Sequence, residues 1–163
     1  MERSSSQEPP QRNHPVHLPP KFNHSRPIIL FITVCTHQRQ RLLDNSQAHG
    51  NLLQAWGLSS DWKIGRYVIM PDHVHFFCTP FASDPTPLKN WMAYWKSASA
   101  RKWPTSLESK VWQRDFWDTQ LRTTESYESK WAYVRQNPVR AGLVSLPDTW
   151  PYQGEIHSLA WHD

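Results

Sequence analysis

Two histidines lie one residue apart inside an apolar run of the chain, in the segment MPDHVHFF at residues 70–77. Alternate residues of a β-strand share a face, so His73 and His75 would present two imidazoles side by side, opposite Val74 and Phe76. Such a pair can bind a metal ion, or it can be a pair of structural histidines with satisfied hydrogen bonds. Two ligands are too few for an ion held by the protein, so a metal site needs a third ligand from elsewhere.

A tyrosine and an asparagine near the C-terminal end of the chain are candidates for further residues of such a site. The helix predicted at residues 124–136 carries an apolar stripe and a separate, more polar one. The apolar stripe consists of Tyr127, Trp131 and Val134, and the polar one of Ser126, Lys130, Tyr133 and Asn137. Tyr133 is either a half-buried residue whose hydroxyl finds a backbone partner or a nucleophile. Asn137 could supply an oxygen ligand, and because it precedes Pro138 its side chain is expected to leave regular helical geometry.

The elements that must position these residues follow from the hydrophobic pattern. Strands are predicted at residues 28–36, 62–70 and 73–79, with a fourth within 111–123, and helices at about 44–58, 88–103 and 124–136. Asp44 or Ser46 is expected to cap the first helix and Thr123 or Thr124 the last, which Pro138 should end. The order β-α-β-β-α-β-α predicts an α+β domain, with helices packed on an antiparallel sheet.

Length and composition predict one folded unit with polar ends. The chain has 163 residues, which suits a single domain. Residues 1–26 are rich in Pro, Ser and charge and are predicted to be a disordered tail, whereas residues 27–152 form the domain and residues 153–163 a C-terminal tail. The two cysteines make no disulfide framework, and neither a secretory signal nor a membrane span is recognisable. We therefore expect a soluble, cytoplasmic protein with no membrane partner.

The charge and the aromatic content favour a nucleic-acid partner. The net charge is +4 with a pI near 9.2, and ten residues are tryptophan. Cationic side chains bind phosphates and flat rings stack on bases, although basic proteins without nucleic acid and tryptophans in cores are also common. The basic candidates are Lys89, Lys96, Arg101, Lys102, Lys130, Arg135 and Arg140. The tryptophans that could stack on unpaired bases are Trp91, Trp95, Trp103, Trp112 and Trp117, most of which we expect in the core.

Four segments together resemble one protein family. MPDHVHFF resembles the His-hydrophobic-His motif of the single-tyrosine HUH transposases, which are IS200-like. YVRQNPVRAGLV, at residues 133–144, resembles the tyrosine-helix motif of their branch, the REP-associated tyrosine transposases. ILFITVCTHQRQRLL and VWQRDFWDTQLRT are similar to the family's first strand and to its segment before the tyrosine helix. The resemblance covers residues 27–152.

The resemblance implies both a fold and an activity. The fold would be a ferredoxin-like or RRM-like α+β domain. The activity would be cleavage and rejoining of single-stranded DNA at palindromic REP-type hairpins, through a covalent 5′-phosphotyrosine on Tyr133. His73 and His75 would be metal ligands and Asn137 would complete the site. The resemblance implies Mg²⁺ or Mn²⁺, whereas ligand chemistry alone leaves the metal open, because imidazoles also suit Zn²⁺ or Ni²⁺.

Two other functions remain compatible with the residues. One is a non-catalytic, RRM-like nucleic-acid-binding regulator, and the other is a metal-dependent phosphodiesterase that forms no covalent intermediate. Tyr133 separates these alternatives, because only the transposase needs a nucleophilic side chain. We expect a monomer, although dimers also occur among the transposases that the chain resembles.

Overall fold

The computed structural model of the protein describes residues 28–104 and 110–159, apart from the side chain of Glu125. The predicted N-terminal tail lies outside these residues. In chain order the strands and α-helices are β1 (Ile29–Cys35), α1 (Ser46–Trp56), β2 (Trp62–Ile69), β3 (His73–Pro80), α2 (Leu88–Ala100), β4 (Trp117–Leu121), α3 (Thr124–Val134), α4 (Asn137–Arg140) and β5 (Gln153–Glu155). None of the helices in this part of the chain is both long enough and apolar enough to cross a membrane.

The strands form one antiparallel sheet in the order β4-β1-β3-β2-β5. The succession β1-α1-β2-β3-α2-β4 is the β-α-β-β-α-β arrangement of ferredoxin-like folds. This confirms the predicted fold class. It also places β3, the strand that carries the histidines, in the centre of the sheet between β1 and β2.

Helices cover both faces of the sheet, and the alternation along β3 decides which residues meet which helix. Val74, Phe76 and Cys78 are fully buried in a core that also contains the apolar side of α1 and α2. Phe77 points to the other face, where it packs in a second core with residues of α3 such as Tyr127. The histidines have the same parity as Phe77, so β3 presents them on the face that α3 covers only in part.

Side-chain caps fix where α1 and α3 begin. Thr123 caps α3 by accepting a hydrogen bond from the amide of Ser126, as predicted. The cap of α1 is neither Asp44 nor Ser46 but Asn45, whose side-chain oxygen accepts from an amide of the first turn.

A two-residue turn at residues 135 and 136 separates the last long helix from a short one. Helix α3 stops at Val134, and Pro138 lies in the first turn of the short helix α4 rather than in a loop. Proline suits that position because amides of the first turn have no intrahelical acceptor, so the N–H that proline lacks is not needed there. Asn137 is the first residue of α4, so its backbone is helical and the expected departure from regular helical geometry is not seen there.

The sheet extends past residue 152, where the sequence suggested that the domain ends. Strand β5 pairs with β2, with Gln153 opposite Val68 and Gly154 opposite Tyr67. A side chain at position 154 would not fit, because a Cβ atom there would lie 2.9 Å from the Tyr67 hydroxyl. The sequence pattern missed β5 because the strand has three residues and no apolar alternation.

Candidate active site

The two imidazoles lie next to each other on β3. Their ring centroids are 4.8 Å apart and the rings are nearly perpendicular, at 79°. Strand β1 runs beside them, with Cys35 opposite His73 and Thr33 opposite His75. Both histidines are only partly buried, so they can be reached from solvent.

His73 is oriented by a carboxylate. Its Nδ1 lies 2.7 Å from Oδ1 of Asp72, and the other oxygen of Asp72 accepts from Nε of Arg39 at 2.8 Å. Burial opposes ionisation of Asp72, but the hydrogen bonds from Arg39 and His73 outweigh it and lower the pKa of this carboxyl group. An ionised carboxylate only accepts, so Nδ1 of His73 must carry the proton. The longer contact of 3.4 Å between Nη2 of Arg39 and the same nitrogen is therefore not a hydrogen bond.

His75 is held by a hydroxyl and an aromatic ring. Its Nδ1 lies 2.8 Å from Oγ1 of Thr33, and its ring stacks on Phe31 with the centroids 5.3 Å apart. Burial first, and then the nearby positive charge of His73 and Lys130, lower the pKa of His75 to about 3. The imidazole is therefore neutral near pH 7, as a metal ligand must be.

One open pocket brings the predicted site residues together. The pocket is lined by Phe31, Met70, His73, His75, Lys130, Tyr133, Val134, Asn137, Arg140 and Ala141. Tyr133 is 63% exposed, so a molecule as large as DNA can reach its side chain. Strand β3 and the C-terminal helices thus bring His73, His75, Tyr133 and Asn137 together within one chain, as the predicted site requires.

Arg140 lies over the tyrosine and ties α4 to α3. Its guanidinium is 4.0 Å from the centroid of the Tyr133 ring, and Nη2 donates to the backbone oxygen of Tyr133 at 2.7 Å. The same nitrogen donates to Oδ1 of Asn137. Lys130 also lines the pocket, with Nζ 4.8 Å from the centroid of the Phe31 ring. These two cations make the rim of the pocket attractive to phosphate.

The donor set fits a divalent cation that brings further ligands of its own. Among the described residues, no group of three His, Cys, Asp or Glu side chains could hold a metal ion. The two histidines engage Nδ1 with Asp72 and Thr33, which leaves Nε2 of each ring as the nitrogen for a ligand. Asn137 would have to exchange its bond from Arg140 for the cation. Water and phosphate oxygens would supply the other positions, as is usual for Mg²⁺.

Comparison with known proteins decides the family. The model of the family described as "Transposase IS200 like" matches residues 26–136, more than half of the chain. The chain belongs to this family. This confirms the resemblance seen in the sequence motifs.

Two curated relatives of this IS200-like chain have related names. The REP-associated tyrosine transposase of Escherichia coli (strain K12) is 25% identical over 91 residues, which is 56% of the chain and 53% of the relative. The second relative is the "Putative REP-associated tyrosine transposase" of Haemophilus influenzae (strain ATCC 51907 / DSM 11121 / KW20 / Rd). It is 30% identical over 96 residues, which is 52% of the chain and 53% of the relative. The chain spans about half the length of the curated relatives it matches.

One solved structure supports the fold over most of the chain. It is that of a REP-associated tyrosine transposase bound to a REP hairpin. The TM-score is 0.64, and the match covers 90% of this chain and 82% of that chain at 19% sequence identity. At that identity the likeness establishes the fold alone.

The structure separates the predicted DNA-binding residues of this IS200-like chain into three groups. Lys130 and Arg140 line the pocket. Arg135 forms an ion pair with Asp148. The remaining candidates lie on α2 or directly after it, and α2 packs on the other face of the sheet; they are Lys89, Lys96, Arg101 and Lys102.

Lys96 has a structural position of its own. Its ammonium group donates to the backbone oxygens of Gln113 at 2.6 Å and Arg114 at 3.0 Å, which ties α2 to the segment before β4. Burial lowers its pKa to about 8, partly opposed by Asp115. The ammonium group of Lys96 is therefore directed to these carbonyl groups, and a contact with DNA stays a prediction.

The tryptophans can also be sorted. Trp91 and Trp95 are buried in the core, and Trp103 and Trp112 pack against it. Trp117 is 44% exposed on the edge strand β4. It is therefore the candidate with a ring available for contact.

The position of Trp117 relates it to the pocket. It lies opposite Thr33, which in turn lies opposite His75, so the three side chains share one face of the sheet. Neighbouring strands are about 4.8 Å apart, which puts Trp117 roughly 10 Å from the strand position of His75.

Sequence reasoning missed the residues that support the histidines. Asp72 could have been suspected, because it directly precedes His73 in the chain. Thr33 and Arg39 carry no such signal, since their roles depend on strand register and on the turn after β1.

Proposed function

We propose that the protein is a metal-dependent single-stranded DNA endonuclease and strand transferase that acts at palindromic, REP-type hairpins through a covalent 5′-phosphotyrosine. The observation that carries the proposal is the single pocket lined by His73, His75, Tyr133 and Asn137. All four come from one chain, which supports action as a monomer. Membership of the IS200-like family and the names of the relatives support the choice of reaction and substrate.

The reaction exchanges one phosphate ester for another. The Tyr133 hydroxyl oxygen attacks the scissile phosphorus as it loses its proton, and a P–O bond to Tyr133 forms. The bond between phosphorus and the 3′ oxygen breaks, and that oxygen leaves as a 3′-hydroxyl after taking up a proton. The DNA 5′ end stays on Tyr133 as a phosphotyrosine. Attack by another 3′-hydroxyl reverses the exchange and joins two strands, so no nucleotide cofactor is needed.

The side chains around Tyr133 prepare it for this step. The guanidinium of Arg140, which lies over the ring, and the ammonium of Lys130, which also lines the pocket, can stabilise negative charge on the phosphate. His73 and His75, together with Asn137, would hold Mg²⁺ or Mn²⁺, which when bound polarises the scissile phosphate and offsets the charge that develops on it. The carboxylate of Asp72 keeps the His73 ring oriented toward that task.

The shape and charge of the site can accommodate a single DNA strand. The pocket is open and Tyr133 is largely exposed, so an unpaired strand can lie across the sheet face with its phosphates near Lys130 and Arg140. Trp117 lies on the same face, where it can stack on an unpaired base. Short palindromic repeats beside the gene would support hairpins as the natural substrate.

The decisive experiment removes the nucleophilic oxygen. Tyr133→Phe is expected to abolish cleavage of a hairpin-bearing single strand in Mg²⁺ or Mn²⁺ and to leave binding of that strand nearly unchanged. Cleavage is followed on denaturing gels, where the unmodified protein should also yield a covalent protein–DNA band. Tyr94→Phe is the matched control, because Tyr94 is an exposed tyrosine on α2, across the sheet.

Two results would point to the alternative functions. Normal cleavage by Tyr133→Phe would identify a phosphodiesterase that uses His73 and His75 without a covalent step. A failure of the unmodified protein to cut any suitable hairpin, while still binding it, would identify a nucleic-acid-binding regulator.

A further inference from the structure

The turn that follows β1 has an unusual backbone. Gln38 and Arg39 have φ angles of 54° and 55°, in the left-handed region that residues other than glycine rarely adopt. Two such residues in succession cost conformational free energy, and they persist only where the surrounding structure holds them. Neither is a glycine, so the sequence keeps a side chain at a position where the backbone would favour having none.

The rest of the turn is fastened to the link between β2 and β3. The amide of Thr36 donates to the backbone oxygen of Asp72 at 2.9 Å, and its hydroxyl lies 3.1 Å from the same oxygen. The amides of Leu42 and Leu43 both donate to the backbone oxygen of Pro71, at 3.0 Å each. Thr36 is completely buried. The left-handed pair is thus anchored on both sides to the two residues that precede His73.

The consequence of this geometry is the direction of one side chain. Nε of Arg39 reaches Oδ2 of Asp72 at 2.8 Å, while Oδ1 of Asp72 lies 2.7 Å from Nδ1 of His73. The guanidinium fixes one carboxylate oxygen, so the other is directed at the imidazole. Because a carboxylate only accepts, this contact selects the protonated state of Nδ1 and leaves Nε2 with its lone pair.

We propose that Arg39 is a positioning residue, which acts through Asp72 to hold the His73 imidazole in the tautomer with Nδ1 protonated and Nε2 free to bind a ligand. The purpose of this arrangement rests on the proposed function, in which His73 is a metal ligand. The left-handed backbone is the structural cost of directing the exposed side chain of Arg39 to Asp72.

The first test reads the tautomer without metal or DNA. The full-length protein is labelled with ¹⁵N-histidine, and long-range proton–nitrogen correlations identify which ring nitrogen of His73 is protonated. We expect the Nδ1–H form in the unmodified protein, a mixture of tautomers in Arg39→Met, and the larger change in Asp72→Asn. Gln38→Ala is the matched control, since it alters the neighbouring left-handed residue and should leave the tautomer as it is. If Arg39→Met does not fold, Arg39→Gln, which also removes the charge, gives the same comparison.

The second test measures Mn²⁺ affinity by calorimetry. Loss of a carboxylate behind a ligating histidine typically weakens metal binding about 10- to 100-fold, which we expect for Asp72→Asn. Arg39→Met should weaken binding by less. The double variant should bind no more weakly than Asp72→Asn alone, because Arg39 acts only through Asp72.

Two outcomes would overturn the proposal. One is an unchanged His73 tautomer in folded Arg39→Met, which would mean that the ion pair between Arg39 and Asp72 only stabilises the fold. The other is additive loss of Mn²⁺ affinity in the double variant, which would mean that Arg39 acts independently of Asp72. Neither measurement uses DNA cleavage, so a protein that never cuts hairpins but shows the expected tautomers would refute the proposed function and keep the role of Arg39.

Discussion

Replacing Trp117 by alanine tests whether the face of the sheet that carries the histidines also binds the DNA strand. Trp117 is 44% exposed on β4, and the register Trp117–Thr33–His75 puts it in line with the histidine pair. A strand whose phosphate lies at the pocket therefore passes Trp117 within one or two nucleotides. We expect Trp117→Ala to weaken binding of single-stranded DNA and to leave folding nearly unaffected.

The size of the effect follows from the exposed area of the ring. Stacking of one base on an aromatic side chain is worth about 1–3 kcal/mol by alanine substitution. More than half of Trp117 is covered by protein, so at most one face of the indole is open, and we expect the lower half of that range. This corresponds to a Kd that rises about 5- to 30-fold. Trp117→Phe should retain most of the affinity, because a phenyl ring keeps a face for stacking.

The assay is fluorescence anisotropy with a labelled hairpin that carries an unpaired extension, compared with the same hairpin without it. The loss in Trp117→Ala should appear only with the extension. Tyr94→Ala is the control, because Tyr94 is 48% exposed but lies on α2, which packs on the other face. Equal affinity of Trp117→Ala and the unmodified protein, or an equal loss in Tyr94→Ala, would refute the placement of the DNA on the histidine face.

Three further predictions follow from the same geometry. His73→Ala and His75→Ala should each abolish cleavage while thermal denaturation stays close to that of the unmodified protein; a large fall in Tm without any change in metal binding would make the pair structural. Lys130→Met should weaken DNA binding and reduce the dependence of log K on log salt by about 0.7, the value for one phosphate contact to a single strand, and an unchanged slope would place Lys130 away from the strand. Folding lowers the pKa of Lys96 to about 8, so the unfolded chain binds more protons between pH 8 and the ordinary lysine range. The free energy of unfolding should therefore rise with pH over that interval, and denaturant titrations of Lys96→Met should lack this rise.

Much of the fold could be predicted because two periodicities are strong in this sequence. The alternation in β3 assigned Val74, Phe76 and Cys78 to one face and the histidines to the other, and the structure confirms both assignments. The expectation that most of the tryptophans lie in the core is confirmed for Trp91 and Trp95 of α2. The exact ends of the elements were less predictable, because they depend on caps and on pairing partners. The strand β5 is the clearest case, since only its contact with β2 makes it a strand.

The basic residues show what sequence alone could not provide. The sequence does not show whether a lysine on a helix faces DNA or a backbone oxygen. To distinguish the two, one must know on which face of the sheet the helix packs. Lys96 and Lys130 illustrate this, because one is directed to two carbonyl groups and the other lies at the pocket. The supporting residues Thr33 and Arg39 were hidden for a similar reason, since each contacts its histidine or carboxylate across a strand register or a turn.

The approach of Tyr133 to the histidines is itself a result of core packing. Phe77 is fully buried and contacts the ring of Tyr127 edge-on, with the centroids 4.8 Å apart, so it fixes how α3 sits on the sheet. His75 lies two residues before Phe77 on the same face of β3, and Tyr133 lies six residues after Tyr127, nearly two turns along α3. Because helix and strand are each rigid over such short spans, burying Tyr127 against Phe77 carries the phenol of Tyr133 toward the imidazoles. A change at Phe77 that shifted α3 by one turn would therefore move Tyr133 by about 5 Å relative to the histidines without changing any residue of the site itself.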